Sequence, residues 1–204
     1  MKYPLVFSPL KHLQIHLNRC EDASTLQDVI ATLSPVESLI FSRISSRKRQ
    51  NEFLSLRKFL QNTLEKTVHV HYDVNGKPFI PGEDLELSVS HSDGFIAFAL
   101  NKNEPAGIDI QVPRPQIMNI TEKFMNNTEH LQADNDLLKT TLIWCAKEAM
   151  YKWYAKKKVK FAWHMHVVLG SDQKIEGSLL APDKNHRLQL EYRIIDDLPL
   201  VYVL

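Results

Sequence analysis

Asp109 and Gln111 are the first residues whose type and spacing suggest chemistry. They alternate with Ile108, Ile110 and Val112 in the run 106–112. On an extended strand the two polar side chains therefore share one face and the apolar ones the other. A carboxylate there is costly to desolvate unless a cation or donor meets it. Mg²⁺ suits such oxygen ligands, above all with phosphate bound to it; an edge strand with a wet polar face gives the same pattern. Gly107 reads as open space beside them, where a bulky group could approach the backbone. Further on, Trp144, Glu148 and Lys152 are four apart and share a helical face. Alone, Glu148 and Lys152 make a surface ion pair worth about 0.3–0.5 kcal/mol. If Glu148 reaches the face of Asp109 and Gln111, three oxygen ligands converge on one cation.

Cations and a histidine add a second group. Arg49, Phe53 and Arg57 are also four apart, so both guanidiniums project from one side of a helix, as a phosphate grip or as a solvated basic face. Lys77 follows a glycine in a turn. His91 lies just past a strand end, where either ring nitrogen can donate to a phosphate. The pairs His69/His71 and His164/His166 each share a strand face, but no third ligand accompanies them, and hydrogen-bonded or solvent-facing histidines are expected. The basic run 156–160 lacks interleaved aromatics and reads as a helix end.

These residues need elements to hold them. Alternation predicts a strand over 13–17. A short helix follows over 26–33, and Ser34-Pro35 opens a second that runs to about 67. Strands are expected at 68–74, 85–90 and 95–100, with turns at 75–78 and 91–94. A polar connector, 101–105, precedes the Asp109 strand, which Pro113 and Pro115 stop. Residues 116–137 read as polar and mobile, with some helical turns. The clearest helix spans 136–154, followed by an antiparallel meander of strands at 159–169, 175–180, 188–195 and 198–204. The order is helix then strands, twice.

Composition sets limits. The 204 residues are 44% hydrophobic, enough for a well-buried core. The 25 Lys and Arg nearly balance 24 Asp and Glu, so no global field favours nucleic acid and any anion site must be local. Cys20 and Cys145 have no metal-ligand spacing partner and read as free thiols in a reducing compartment. No signal peptide or membrane-spanning run is evident, so a cytoplasmic location is expected.

Taken together, six ordered segments resemble the 4′-phosphopantetheinyl transferases of the Sfp type. They are Arg49…Phe53…Arg57, Gly76-Lys77-Pro78, Ser88-Val89-Ser90-His91-Ser92, Gly107-Ile108-Asp109-Ile110-Gln111, Phe124…Glu129, and Trp144-Cys145-Ala146-Lys147-Glu148-Ala149…Lys152. The most specific is the Gly-Ile-Asp pattern followed by Trp-x-x-Lys-Glu-x-x-x-Lys. The resemblance implies an α+β fold of two similar halves, a pseudo-dimer, each a helix packed on a small, mainly antiparallel sheet, with the active site between them. The halves would be 1–102, gripping coenzyme A, and 103–204, carrying the metal site and carrier-protein docking. It implies Mg²⁺-dependent transfer of the phosphopantetheine arm of coenzyme A to a serine of an apo acyl or peptidyl carrier protein, leaving adenosine 3′,5′-bisphosphate.

By the same resemblance, Asp109, Glu148 and Gln111 are the metal ligands. Gln111 stands where many members have Glu, so one negative charge is missing. Glu148, Asp109, Lys152 and His91 are the expected catalytic set. Arg49, Arg57, Lys77, Ser90, His91 and Lys152 are the expected coenzyme contacts. Glu148 is the candidate base and Glu129 a lesser one. Cys145, where Ser or Thr is common, is expected only to pack. The carrier would dock on 114–137, with Arg114 and Lys123 steering an acidic partner. The length suggests a pseudodimeric monomer, with neither nucleic acid nor membrane as partner. A coenzyme A- or carrier-binding protein weakened in catalysis is the alternative that Gln111 supports. A metal-dependent nuclease ranks low, because Glu148 and Lys152 lie four apart on a helix.

Overall fold

The computed structural model describes residues 3–102, 104–156 and 159–204. Asn103 of the connector and Lys157-Lys158 of the basic run lie outside the described residues. The chain is α+β, with two antiparallel sheets. The first has six strands, from β1 (Leu5–Leu10) and β2 (Leu13–Arg19) to β3 (His71–Tyr72), β4 (Pro78–Phe79), β5 (Glu86–Ser92) and β6 (Phe95–Asn101), in the order β1-β2-β6-β5-β4-β3. The second has five: β7 (Ile108–Ile110), β8 (Met165–Leu169), β9 (Lys174–Leu180), β10 (Asn185–Ile195) and β11 (Leu198–Val203), in the order β7-β11-β10-β9-β8.

Capping bonds between neighbours in sequence start some of the helices, though not the first short one. The first short one is α1 (Gln27–Ala31). Ser34 and Glu37 form a reciprocal capping box that starts α2 (Pro35–Ser42), and Pro35 takes its first turn. The long helix expected up to residue 67 is instead broken: residues 43–46 separate α2 from α3 (Arg47–Leu64). The break turns α2 back so that Glu37 can reach α3. Its buried carboxylate accepts from Arg57 Nε at 2.8 Å, from the Val70 amide at 2.9 Å and from the Ser34 amide at 3.1 Å. Burial would raise this acid, but those bonds and the Arg57 charge hold it at about 2.

The second half follows the same plan. Asp136 caps α5 (Leu137–Tyr154) through the Lys139 amide. The stretch 116–137, read as mobile, is ordered into a 3₁₀ segment, Pro115–Lys123, and α4 (Asn127–Ala133). Asn126 and Glu129 form the capping box of α4. Two strands come out shorter than their apolar patterns suggest. Residues 68–74 keep only β3, because the Val70 amide is spent on Glu37. Residues 161–164 form a single turn of helix, α6 (Phe161–His164), before β8.

The first sheet lies between α3 and the second half. One face carries Leu87, Ile96, Phe98 and Leu100 against Leu56 and Leu60 of α3. The other packs Leu13, Ile15, Leu17, Ala97 and Ala99 against Ile108, Ile110, Leu198, Leu200 and Tyr202. Such a dry contact is what joins two halves into one body. On its far side, α5 packs through Ala146, Ala149 and Met150 on the second sheet.

Candidate active site

The site forms where β5, β7 and α5 meet. Alternation on β5 sends Leu87 and Val89 toward α3 and Ser88, Ser90 and Ser92 toward β7. β7 pairs with β11 on one side only. On its other side the amides of Ile108, Ile110 and Val112 donate to the hydroxyls of Ser88, Ser90 and Ser92 at 3.1, 3.3 and 3.1 Å. Three serine side chains thus do what a neighbouring strand's carbonyls would do.

This seam fixes Asp109, which is buried. Its Oδ1 accepts from Ser90 Oγ at 2.6 Å and from Lys152 Nζ at 2.6 Å. Lys152 also donates to the Ile108 carbonyl at 3.1 Å. Glu148, one turn earlier on α5, turns the same way. Its carboxyl is pushed up to about 7 by burial and then by the charge of Asp109, with Lys152 opposing. The Cys145 thiol is buried near Asp109, and burial together with that carboxylate raises it well above the usual thiol range. Cys145 therefore touches the site as well as packing.

Gly107 explains how α5 comes so close. A Cβ there would stand 2.2 Å from the Ala149 carbonyl oxygen and 2.8 Å from Trp153 Cβ. The space expected for a ligand is filled by the helix that carries Glu148 and Lys152.

Beside the seam runs a groove. β4 meets β5 only at Glu86, which leaves the outer edge of β5 bare of a strand beyond that point, among the described residues. Two pockets of about 160 and 420 Å³ open along it, sharing Gly76, Pro78 and Val89. Lys77, Tyr151, Lys152 and Lys156 line the first; Arg49, Glu52, Phe53, Arg57, Tyr72 and His91 line the second. Arg49 Nη1 donates to His91 Nε2 at 2.6 Å and to Glu52 at 2.9 Å. Burial, with Arg49 and Lys152 nearby, pulls the His91 imidazole below its usual value, while Glu52 opposes. The ring is thus neutral at neutral pH, with Nε2 as the acceptor from Arg49.

Several expected residues are placed differently from one another. Arg49 is on the surface of the groove, whereas Arg57 is sunk in its floor, paired with Glu37 and stacked 3.3 Å from the Phe53 ring centroid. Arg57 Nη2 is buried and makes no hydrogen bond among the described residues; Tyr72 stands near the guanidinium. Lys77 pairs with Glu86 at the mouth of the first pocket. The Gln111 amide nitrogen donates to the Val112 carbonyl at 3.3 Å, just beyond Asp109 on the same side of the strand. Ser90 lines neither pocket and gives its proton to Asp109.

Glu129 is remote from the groove and unsuited to act as a base. It is buried against Lys147 at 2.6 Å, caps α4 and accepts from the Val167 amide at 2.8 Å. Lys147 also reaches the carbonyls of Phe124 and Phe161. The first Lys of the Trp-x-x-Lys-Glu run is therefore a clamp on the segments around α4. His69 meets Glu37, His166 meets Asn126, and the His164 ring accepts from the Lys160 amide. No group of three or more His, Cys, Asp or Glu able to hold a metal occurs among the described residues.

Two carboxylates, one paired with an ammonium and the other kept proton-loving by burial and then by its neighbour's charge, fit a divalent cation. The donors are hard oxygens, as Mg²⁺ prefers. Residues 105–203 match the model of the 4′-phosphopantetheinyl transferase superfamily, a stretch that includes Asp109, Glu148 and Lys152. A 4′-phosphopantetheinyl transferase of Bacillus subtilis is 35% identical over 83 residues, a match that covers 38% of this chain and 37% of that protein. Among the described residues no helix is long and apolar enough to cross a membrane.

Proposed function

We propose that this protein is an Sfp-type transferase that moves the 4′-phosphopantetheine arm of coenzyme A to a serine hydroxyl of an apo acyl or peptidyl carrier protein. The products are holo carrier protein and adenosine 3′,5′-bisphosphate. The observation that carries this is the ion pair of Asp109 and Lys152, with Glu148 feeling both charges, beside a pocket that Lys152 lines and that adjoins one lined by Arg49, Arg57 and His91. Phosphoryl transfer needs positioning and charge neutralisation more than covalent chemistry, and this set supplies both. Mg²⁺ held by Asp109 and Glu148, with the Gln111 amide oxygen as a neutral third donor, would draw charge off the pyrophosphate.

The chain's own groups do the rest. Arg49, with Arg57 Nη2 beneath it, receives the phosphorylated nucleotide end of the coenzyme. Lys152 and neutral His91 meet the pyrophosphate, and Lys77 guards the other pocket. Glu148, poised near neutrality, accepts the proton of the incoming serine. The carrier docks on 114–137, where Leu131 is 82% exposed and Lys123 lies at the surface. The halves divide at the connector after β6, and the protein works as a cytoplasmic monomer.

The test is a mass measurement on several apo carrier proteins incubated with coenzyme A, Mg²⁺ and this protein. A carrier that gains the mass of the arm supports the assignment. Glu148→Ala is expected to abolish the gain, and Gln111→Glu to keep or raise it at low Mg²⁺. Unchanged transfer by Glu148→Ala refutes the mechanism. Coenzyme A binding without transfer to any carrier favours a binding protein of the same fold.

A further inference from the structure

The geometry points to Ser90 as a positioning residue for Asp109, reaching across the seam from one sheet to orient the cation-binding carboxylate of the other. This rests on the metal-dependent function proposed above. Ser88, Ser90 and Ser92 occupy equivalent places on β5, and each accepts one β7 amide. Ser90 differs in that its own proton goes to Asp109 Oδ1, at 2.6 Å and away from solvent. A hydroxyl has one proton to give, so Ser90 cannot also donate to a ligand while that bond holds.

Oδ1 is thus pinned by two donors, Ser90 from β5 and Lys152 from α5. Two bonds on one oxygen stop the carboxylate from rotating and hold Oδ2 in a set direction. Partners of this kind tune affinity by preventing the ligand group from wandering, and their loss typically costs 10–100-fold in metal affinity. Ser90 alone of the three serines therefore links the seam to the cation site.

The experiment is direct Mn²⁺ binding to metal-stripped protein, read by electron paramagnetic resonance without coenzyme or carrier. Ser90→Ala is expected to weaken Mn²⁺ binding about 10–100-fold. Ser90→Thr, which keeps the hydroxyl, restores most of it. Ser90→Cys, which keeps the volume but donates weakly, falls between and covers the case in which the alanine variant does not fold. Ser92→Ala removes the same kind of β7 anchor but no bond to Asp109, so it lowers the melting temperature while leaving Mn²⁺ affinity within about twofold. Wild-type Mn²⁺ affinity in Ser90→Ala, or an equal loss in Ser92→Ala, overturns the assignment. Weaker metal-free binding of coenzyme A by Ser90→Ala overturns it too, by making the hydroxyl a ligand contact. A wild-type protein that binds no Mn²⁺ sinks the metal-dependent function itself, a result distinct from the others.

Discussion

Replacing Gly107 with alanine tests whether the approach of α5 to β7 sets the chemistry. The backbone of Gly107 lies outside the left-handed region, so alanine adopts it without strain. The whole effect is then steric. The new methyl would stand 2.2 Å from the Ala149 carbonyl oxygen, 2.8 Å from Trp153 Cβ and 3.0 Å from Val203 Cγ2. Backbone cannot rotate away as a side-chain tip can, so helix and strand must part by roughly 1 Å to restore ordinary contact. Ala149 adjoins Glu148, and Lys152 is one turn further, so both leave Asp109 by a similar distance. Overpacking of this kind costs about 1–3 kcal/mol of stability, and a misplacement near 1 Å costs on the order of 100-fold in rate. Urea unfolding and the initial rate of arm transfer at saturating coenzyme A measure the two. Gly177→Ala is the control. Its methyl would meet Met150 Sδ at 2.8 Å and Leu190 Cδ1 at 2.9 Å, ends of flexible side chains that can give without moving the backbone of α5. It is expected to lose some stability and keep its rate. A Gly107→Ala protein with wild-type transfer, or a Gly177→Ala protein as impaired, refutes the reasoning.

Two further outcomes follow from buried charge. The folded Glu148 carboxyl titrates at about 7 against an ordinary 4.5, so the folded state resists ionising it. Its stability is full below about pH 4.5 and is lost as pH rises toward 7, by about 3 kcal/mol. Glu148→Gln is therefore expected to be more stable than wild type at pH 8 by up to that amount in metal-free buffer, with the gap closing toward pH 5; a gap constant with pH in urea titrations contradicts this. Lys147→Met leaves Glu129 buried without its cation and is expected to cost about 3–5 kcal/mol, with early proteolysis within 115–133; unchanged stability contradicts it.

The sequence carried the chemistry further than the framework. The spacing of Trp144, Glu148 and Lys152 predicted a shared helical face, and Lys152 does meet Asp109. The cap signal at Ser34 placed one helix start, because a cap is a local hydrogen bond between neighbours in sequence. What escaped was decided at long range. Gly107 looked like room for a ligand, and only the packed structure shows that Ala149 fills it. Arg49 and Arg57 looked alike, yet Glu37, twenty residues before Arg57, draws only one of them inside. Ser88 and Ser90 were legible as an alternating strand and Ser92 was read into the turn after it, but the amides all three serve lie across the sheet boundary. Glu129 and Lys147 sat in conspicuous motifs, and each proved to answer the other.

The second sheet has two outer strands, and side chains stopper both. Serine hydroxyls occupy the free amides of β7, while Glu129 and Gln132 of α4 take those of Val167 and Leu169 on β8. An uncapped outer strand is a template on which another chain can polymerise. Here the groups that line up the carboxylate proposed to hold the cation, and those that brace the helix proposed to receive a carrier, also deny the sheet any raw margin. Edge-to-edge pairing through this sheet is thereby opposed by the same atoms that keep the two lobes in register.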